Sequence, residues 1–412
     1  MADAIAERLI ARLFRYLSVT SQSDAAATTL PSTAGQRRLA EMLEGELAGI
    51  GAADIHLAET AVLTARLPGR VPGAPPIGFV AHLDTVDVGL SPDIRPRRVR
   101  FTGEDLPLDA AGETWFRVAD HPEILPYAGE EIILGDGTSV LGADNKAAIA
   151  ILMTLAETLL AEGGPHGDVL IAFVPDEEIG LRGAKALDLS RFPADFAYTI
   201  DGCARGELVA ETFNAAGATV EITGVTAHPM AAKGVLVNPI LLATELIGLF
   251  DPRQTPEHTA GREGYWWFNG IRGDQSRAVL DIAIRDFDAA DFARRKRQVE
   301  AAVETLRARH PAARIALRMA DSYANIGATL GEDRRCLDLL EGAFAAAGIV
   351  PKVLAMRGGT DGSALSARGI PTPNYFTGAM NFHSRFEVLP VSAFVDSFRV
   401  TEALCRRAAA LR

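Results

Sequence analysis

Histidine and carboxylate side chains directly follow an apolar, strand-like segment of the sequence. His82 and Asp84 stand at the end of residues 77–83 (IGFVAHL). Positions i and i+2 of a strand point to the same side, so the Asp84 carboxylate can contact the His82 imidazole and fix its tautomer. This pattern is typical of a metal-ligating histidine with its supporting acid. Taken alone, such a pair more often indicates only a surface histidine that is satisfied by a neighbouring acid.

Further carboxylates occupy comparable positions along the chain. Asp144 precedes a helical segment, where it could also serve only as an N-cap. Glu177 and Glu178 belong to a run of three acids after the apolar segment 169–174. Adjacent carboxylates repel one another unless a cation or a proton offsets them, so this run is either a solvated turn or a cation site.

Asp201 follows the strand-like segment 196–200, and His383 follows a strand-like segment near the C-terminus. In open α/β sheets, ligands bind at the carboxyl ends of the strands, where all these side chains would meet. Imidazole and carboxylate ligands without thiolate suit Zn, Mn or Co, and their number exceeds what one catalytic zinc needs. The pattern therefore predicts a two-metal site, in which a carboxylate that binds no metal can act as a base.

Two patterns of secondary structure position these residues. Up to about residue 211, alternating strand-like and helical segments predict an α/β domain with a mixed, largely parallel sheet. The next segments have the order βαββαβ, which predicts an inserted ferredoxin-like α+β domain: 215–223, 238–250, 263–271, 277–286, 288–309 and 314–319. We therefore predict a discontinuous first domain (1–212 and 322–412), which carries the candidate ligands, and an inserted second domain (213–321).

Composition excludes several classes of protein. The 412 residues carry 41 basic and 53 acidic side chains, a net charge of −12 that argues against a nucleic acid partner. The basic run 294–297 is interpreted as a solvated helix face. Three widely spaced cysteines indicate neither a disulfide framework nor a thiolate zinc site and favour the cytoplasm. The longest apolar run, 147–156, is too short to cross a membrane, so we expect no membrane partner.

Over essentially its whole length, the sequence resembles the peptidase T family. These are aminotripeptidases of the co-catalytic zinc metallopeptidase superfamily, which includes aminoacylase and carboxypeptidase G. The resemblance rests on nine motifs: AHLDT (81–85), LGADNKA (141–147), PHGD (165–168), FVPDEE (173–178), YTIDG (198–202), AHPMAAKG (227–234), IRDFD (284–288), RGGTDGSALSARGIPTPN (357–374) and FTGAMNFHSRFE (376–387).

The resemblance implies two zinc ions per chain, with Mn²⁺ or Co²⁺ as substitutes. One ion would be held by His82 and Asp201, the other by Glu178 and His383, and Asp144 would bridge both. The implied reaction releases the N-terminal residue of a tripeptide by attack of a water that the two metals activate.

The resemblance also assigns roles outside the ligand set. Glu177 would be the general base, and Asp84 would orient His82. His228 would stabilise the oxyanion, although it can also be a structural histidine before a proline. The resemblance implies that the first domain is catalytic and that the inserted domain is a lid or dimerisation domain, so His228 can come from a partner subunit.

Three residues are candidates for binding the small peptide substrate. Arg285 and Arg357 would contact its C-terminal carboxylate, although an interdomain salt bridge is the alternative for both. Asn325 is a further candidate.

Two residues depart from the family pattern: Asn145 replaces an Asp after the bridging ligand, and Cys203 replaces a Gly. The alternatives to an aminotripeptidase are a related two-zinc carboxypeptidase or N-acyl amino acid amidohydrolase, and a catalytically silent metal-binding protein. The presence of Glu177 argues against the silent protein, because a silent site has no use for a base.

Overall fold

A computed structural model of the protein describes residues 2–330 and 333–411. The chain divides into two compact units, the first comprising residues 1–210, 329–354 and 360–412 and the second residues 211–328 and 355–359. The sequence predicted boundaries after residues 212 and 321, without the short segment 355–359. Each unit has its own sheets and core.

Ten α-helices lie in the described residues. Their bounds are α1 (Ala2–Leu17), α2 (Ala34–Ile50), α3 (Ala143–Glu162), α4 (Arg182–Ala186), α5 (Pro239–Ile247), α6 (Ala289–Arg309), α7 (Ile326–Leu330), α8 (Arg335–Ala346), α9 (Asp361–Ser366) and α10 (Val391–Ala408). In this part of the chain, no helix is long and apolar enough to cross a bilayer.

The strands of the same residues form four sheets. Their bounds are β1 (Ala53–Leu57), β2 (Leu63–Leu67), β3 (Ile77–His82), β4 (Arg97–Arg100), β5 (Leu106–Pro107), β6 (Trp115–Phe116), β7 (Glu131–Leu134), β8 (Val169–Val174), β9 (Phe196–Gly202), β10 (Glu207–Thr212), β11 (Asn214–Thr223), β12 (Tyr265–Gly273), β13 (Arg277–Asp286), β14 (Arg314–Tyr323), β15 (Lys352–Met356), β16 (Asn374–Phe376) and β17 (Val388–Pro390).

The main sheet of the first unit has eight strands in the order β1-β2-β8-β3-β9-β16-β10-β15. Its central strands β8, β3, β9 and β16 run parallel, whereas β1, β2 and β10 pair antiparallel with their neighbours. All six residues of β3 and all six of β8 are buried, because helices and loops cover both faces of the sheet. The predicted mixed α/β architecture is confirmed.

The second unit confirms the predicted ferredoxin-like domain. Its sheet has the order β12-β13-β11-β14, with every neighbouring pair antiparallel. Helices α5 and α6 pack on the sheet around Leu242, Val299 and Leu306. Trp267 and Ile271 on the edge strand β12 are exposed.

The interpretation of the basic run 294–297 as a solvated face is wrong for Arg295, which is buried. Its Nε donates a hydrogen bond to Oδ2 of Asp286 at 2.7 Å, and its guanidinium lies 4.5 Å from the ring centre of Trp266. Arg294 in the same run is exposed, as expected. A run of like charges on a helix therefore does not show which member turns toward the core.

Candidate metal centre

Three neighbouring parallel strands of the first unit end at the same edge of the main sheet. His82 is the last residue of β3, and it pairs in register with Val174 at the end of β8. Glu177 and Glu178 follow β8 within one turn, and Asp201 lies near the end of β9. The topology thus gathers the side chains that the sequence places after separate apolar segments.

The Asp144 carboxylate lies between the two histidines. Its Oδ1 is 2.9 Å from Nε2 of His82, and its Oδ2 is 3.2 Å from Nε2 of His383. Burial opposes ionisation of this carboxyl, but the hydrogen bonds from His383 and His82 hold its pKa below the usual range. Each oxygen of one carboxylate thus faces a different imidazole, which is the arrangement that a bridging ligand requires.

Glu178 and Asp201 flank this group on either side. Oε1 of Glu178 lies 3.0 Å from Nε2 of His383 but has no hydrogen bond of acceptable geometry, whereas Oδ1 of Asp201 lies 3.6 Å from Nε2 of His82. Burial and the charge of Asp144 raise the pKa of Glu178 to about 7 and that of Asp201 to about 6. Both carboxyls are therefore harder to ionise than in water, and a divalent cation beside them would favour their charged form.

His383 stands at the more open side of the cluster. The hydrogen bond to Asp144 and the close carboxylate of Glu178 raise the pKa of His383 to about 10. A proton on the imidazole here takes the place that a divalent cation would occupy beside the same acids.

Asp84 is fully buried and organises the turn after β8. Its two carboxylate oxygens accept hydrogen bonds from the backbone N–H groups of Glu177 and Glu178 at 3.0 and 3.2 Å. Nδ1 of His82 lies closer to the backbone carbonyl oxygen of Asp84 (3.1 Å) than to its carboxylate (3.5 Å). Asp84 thus supports His82 mainly through its main chain, and its carboxylate fixes the adjacent glutamates.

Glu177 belongs to the same electrostatic cluster. Burial raises the pKa of its carboxyl well above the usual value, the positive charge of His82 opposes this rise, and Asp201 and Asp361 add to it. A glutamate with a raised pKa beside metal-ligand candidates suits proton transfer.

Two supporting residues were missed by the sequence analysis as positioning groups. The buried Glu387 accepts hydrogen bonds from the backbone N–H groups of Gly142 and Asp144 at 2.7 and 3.0 Å. Nδ2 of Asn145 donates to Oδ1 of Asp201 at 3.0 Å, and its Oδ1 accepts from the backbone N–H of His82 at 3.3 Å. The only sequence signal was that both lie within the motifs that carry the ligands.

Asn145 and Cys203, the two departures from the family pattern, have different surroundings. Asn145 lies in the cluster as a neutral donor to a ligand candidate. The Cys203 backbone N–H donates to Glu207 at 3.0 Å, and burial raises the pKa of the Cys203 thiol. All three cysteines, Cys203, Cys336 and Cys405, are free thiols.

The seven site residues predicted in the first unit are thus brought together: His82, Asp84, Asp144, Glu177, Glu178, Asp201 and His383. Single ligand atoms of His82, Asp144 and Glu178 lie within 4.8 Å of one another. The imidazole and carboxylate donors, together with the unpartnered Oε1 of Glu178, fit divalent zinc, manganese or cobalt. The other four predicted residues lie in the second unit.

His228 is exposed and caps a short 3₁₀ turn at Pro229–Ala231. Its Nδ1 accepts a hydrogen bond from the backbone N–H of Met230 at 3.3 Å. A neutral imidazole that accepts at Nδ1 carries its proton on Nε2, so His228 presents a donor of the kind that an oxyanion requires.

Arg285 lies on β13 with its guanidinium 5.5 Å from the ring centre of Tyr323. Its Nη1 donates to the carbonyl oxygens of Ala216 and Ile284, and none of the hydrogen bonds in residues 2–330 and 333–411 uses its Nε or Nη2. Arg285 therefore retains donors for a carboxylate ligand.

Arg357 is more fully engaged within its own unit. Its Nη1 donates to the carbonyl oxygens of Gly261 and Glu263, and its Nη2 donates to Oγ1 of Thr259. These contacts fix the loop before β12.

Asn325 is buried and also serves its own unit. Its Oδ1 accepts from the backbone N–H groups of Thr212 and Gly327, and its Nδ2 donates to the carbonyl oxygen of Phe287. For both Asn325 and Arg357, substrate binding stays a prediction.

This chain is similar in sequence to known peptidases. Residues 210–311 match a family model described as a peptidase dimerisation domain. A Peptidase T-like protein of Yersinia pestis is 58% identical over 409 residues, covering 99% of this chain and 100% of that protein. Peptidase T of Aeromonas salmonicida is 40% identical over 407 residues, covering 98% and 100%.

Solved structures with the same fold extend over the whole chain. Aminopeptidase PepT of Bacillus cereus has a TM-score of 0.77 at 21% identity, covering 98% of this chain and 99% of that one. A tripeptidase of Staphylococcus aureus has a TM-score of 0.77 at 20% identity with the same coverage. A dinuclear metal-binding peptidase of the M20 family from Bacillus subtilis has a TM-score of 0.66 at 15% identity, covering 98% of each chain.

Proposed function

We propose, since this chain belongs to the peptidase T family, that it is a metal-dependent aminotripeptidase, which releases the N-terminal residue from tripeptides. The observation that carries this proposal is the arrangement of Asp144 between His82 and His383, with Glu178 and Asp201 on either side. Buried acids without cation partners are costly, so this arrangement calls for divalent cations.

We assign one metal ion to His82 and Asp201, a second to Glu178 and His383, and Asp144 to both. The two oxygens of Asp144, each facing a different histidine, support this division. Zinc is the metal that we expect, with manganese or cobalt as substitutes, because all the donors are nitrogen or oxygen. Two such ions, when bound, would polarise the scissile carbonyl and lower the pKa of a water molecule.

The protein side chains provide the proton transfers. Glu177 takes a proton from the attacking water and delivers it to the amine of the breaking C–N bond, so that one carboxylate and one amine leave. The hydrogen bonds from the backbone N–H groups of Glu177 and Glu178 to Asp84 hold the base and its ligand neighbour on one turn. With both residues fixed on this turn, Glu178 can bind a metal ion while Glu177 stays free to carry the proton.

We assign two supporting roles to the second unit. The Nε2–H of His228 stabilises the negative charge that develops on the carbonyl oxygen, in cis or from a partner subunit. The unused donors of Arg285 bind the C-terminal carboxylate of the tripeptide. A carboxylate contact at a fixed place favours short peptides over long ones.

We further propose that the enzyme is a cytoplasmic homodimer that pairs through its second unit. The match to a peptidase dimerisation domain and the exposed Trp267 and Ile271 on the edge strand β12 support this assembly. Sedimentation of wild type and Trp267→Glu tests it: we expect a dimer that the substitution weakens. A monomeric wild type would contradict the dimer.

The activity is tested by initial rates on a free tripeptide, a dipeptide, a tetrapeptide and the N-acetylated tripeptide. We expect rapid cleavage of the free tripeptide alone. The Glu177→Ala variant should lose roughly 10²–10⁴-fold in kcat while it keeps the wild-type metal content, because Glu177 is not assigned as a ligand.

Two results would overturn the proposal. Cleavage of the blocked peptide would instead identify a carboxypeptidase or an N-acyl amidohydrolase. Metal binding without turnover of any of the four peptides would identify a silent metal-binding protein.

A further inference from the structure

Asp361 is a buried carboxylate of the first unit that no step of the proposed reaction uses. It is the first residue of α9, which packs against β3 and β9, the strands that carry His82 and Asp201. Asp361 is only 2% exposed, and its Oδ1 accepts no hydrogen bond from the described part of the chain. An acid in this situation is costly unless it meets a ligand.

The backbone around Asp361 is held firmly. Oγ1 of Thr360 accepts from the backbone N–H of Gly362 at 3.2 Å, and the Thr360 N–H donates to Ser363, so the two residues form a capping box. A Cβ atom on Gly362 would lie 2.5 Å from the carbonyl oxygen of Thr372, so only glycine fits there. The turn therefore fixes the position from which the Asp361 carboxylate extends.

The neighbouring buried acids already have partners in the chain. Asp84 accepts two backbone N–H groups, and Glu387 accepts two more. Asp176 accepts from Ser32 and Gln36 and is paired with Arg182. Asp361 differs from all three because one of its oxygens is left without a partner.

The Asp361 charge acts on the same group of residues as the metal cluster. Burial raises the pKa of Asp361 well above its usual value; the positive charge of His82 opposes this rise, and Asp201 adds to it. Asp361 in turn raises the pKa of Glu177. Asp361 therefore lies within electrostatic reach of the general base and of the ligand candidates His82 and Asp201.

Lys185, whose charge interacts with that of Asp361, does not form an ion pair with it. Nζ of Lys185 donates to the carbonyl oxygen of Gly180 at 2.9 Å, and no ion pair in residues 2–330 and 333–411 involves Asp361. A cationic ligand beside Asp361 would therefore gain a charge-assisted hydrogen bond that no protein group supplies.

We propose that Asp361 binds the N-terminal ammonium group of the peptide substrate. This inference rests on the proposed aminotripeptidase activity, in which the substrate is the source of that cation. An ammonium group at Asp361 would place the first peptide bond toward Glu177 and the metal ligands. It would also explain why the proposed enzyme does not cleave a peptide with a blocked N-terminus, since an acylated amine carries no positive charge to pair with this carboxylate.

The test compares a free tripeptide with its des-amino analogue, in which hydrogen replaces the N-terminal ammonium group. In wild type, we expect the free tripeptide to have a much higher kcat/KM than the analogue. The isosteric Asp361→Asn variant should lose roughly 100-fold in kcat/KM on the free tripeptide, mostly through KM, because one partner of a buried charge pair is gone. On the des-amino analogue, the variant should match wild type.

Asp176→Asn is the matched control, since it removes a buried acid near the same sheet edge whose oxygens are already satisfied. It should lower the melting temperature and leave the ratio of the two kcat/KM values as in wild type. Metal content of all variants should equal that of wild type.

Each other outcome overturns the inference. An equal loss on both substrates in Asp361→Asn would assign Asp361 a role in folding or in positioning Glu177, and no loss on either would remove it from the site. Failure of wild type to cleave any free tripeptide would instead overturn the proposed function, so the two failures are distinguishable.

Discussion

In the second unit, a buried guanidinium meets a buried carboxylate, whereas in the first unit buried carboxylates meet one another. Arg295 donates to Asp286 at 2.7 Å and to Gln254 at 3.0 Å, and it stacks on Trp266. By contrast, Oε1 of Glu178 and Oδ1 of Asp361 have no hydrogen-bond partner in the described residues.

This difference separates charges that serve the fold from charges that serve a ligand. A buried ion pair with every atom satisfied needs nothing from outside, and its removal affects stability. A group of buried acids with unpartnered oxygens lowers stability until cations arrive, and proteins keep such groups where binding or catalysis requires them.

Removal of the metal ions should have the largest effect. We expect dialysis against a chelator to abolish turnover of the free tripeptide and to lower the melting temperature, because Asp144, Glu178 and Asp201 would then face one another without cations. Zn²⁺ should restore both quantities. Full turnover in a preparation without detectable metal would contradict the assignment of the cluster.

Breaking the ion pair of the second unit should instead affect stability alone. Arg295→Met leaves the Asp286 carboxylate buried without its partner, so we expect a loss of about 3–5 kcal/mol in the free energy of unfolding. Arg294→Met, at the exposed neighbour, is the matched control and should change stability by less than about 0.5 kcal/mol. Urea unfolding measures both variants, and unchanged stability of Arg295→Met would show that the pair is dispensable.

Glu387 combines features of both regions. Its carboxylate oxygens are hydrogen-bonded, yet these bonds position the metal-ligand candidate Asp144. Glu387→Gln places an NH₂ group against one of the backbone N–H groups of Gly142 and Asp144, so the Asp144 loop should shift. We expect metal affinity to fall roughly 10–100-fold. Competition with a chromogenic chelator measures the affinity, and the exposed Glu41→Gln serves as the control that should not change it.

The ligand candidates could be predicted from sequence for a geometric reason. His82, Glu178 and Asp201 follow apolar segments that must be buried strands, and the ends of parallel strands share one edge of a sheet. The ferredoxin-like fold of the inserted domain could likewise be predicted from the hydrophobic periodicity of its segments and from their order. In both cases the sequence pattern is local, and the general rules of chain connection determine how the segments assemble into a sheet.

The supporting residues could not be predicted, because their partners are distant in sequence. Glu387 contacts a backbone more than two hundred residues away, and nothing near Asp361 in the sequence shows that its oxygen lacks a partner. Asn325 was considered for substrate binding, but its amide bonds to three main-chain groups of its own unit. A polar residue in a motif does not by itself show whether it serves the ligand or the chain.

Arg285 and Arg357 of the second unit test whether a residue with unused hydrogen-bond donors binds the substrate while a fully bonded one serves only the fold. Arg285 has unused donors, whereas both terminal nitrogens of Arg357 donate within the unit. Arg285→Lys should raise KM for the free tripeptide by about tenfold, the value of one charge-assisted hydrogen bond, and should not affect the C-terminally amidated tripeptide. Arg357→Lys should lower the melting temperature and leave the KM ratio of the two peptides unchanged. If the two variants exchanged these effects, Arg357 would be the carboxylate ligand, and a satisfied hydrogen-bond network would no longer mark a residue that serves only the fold.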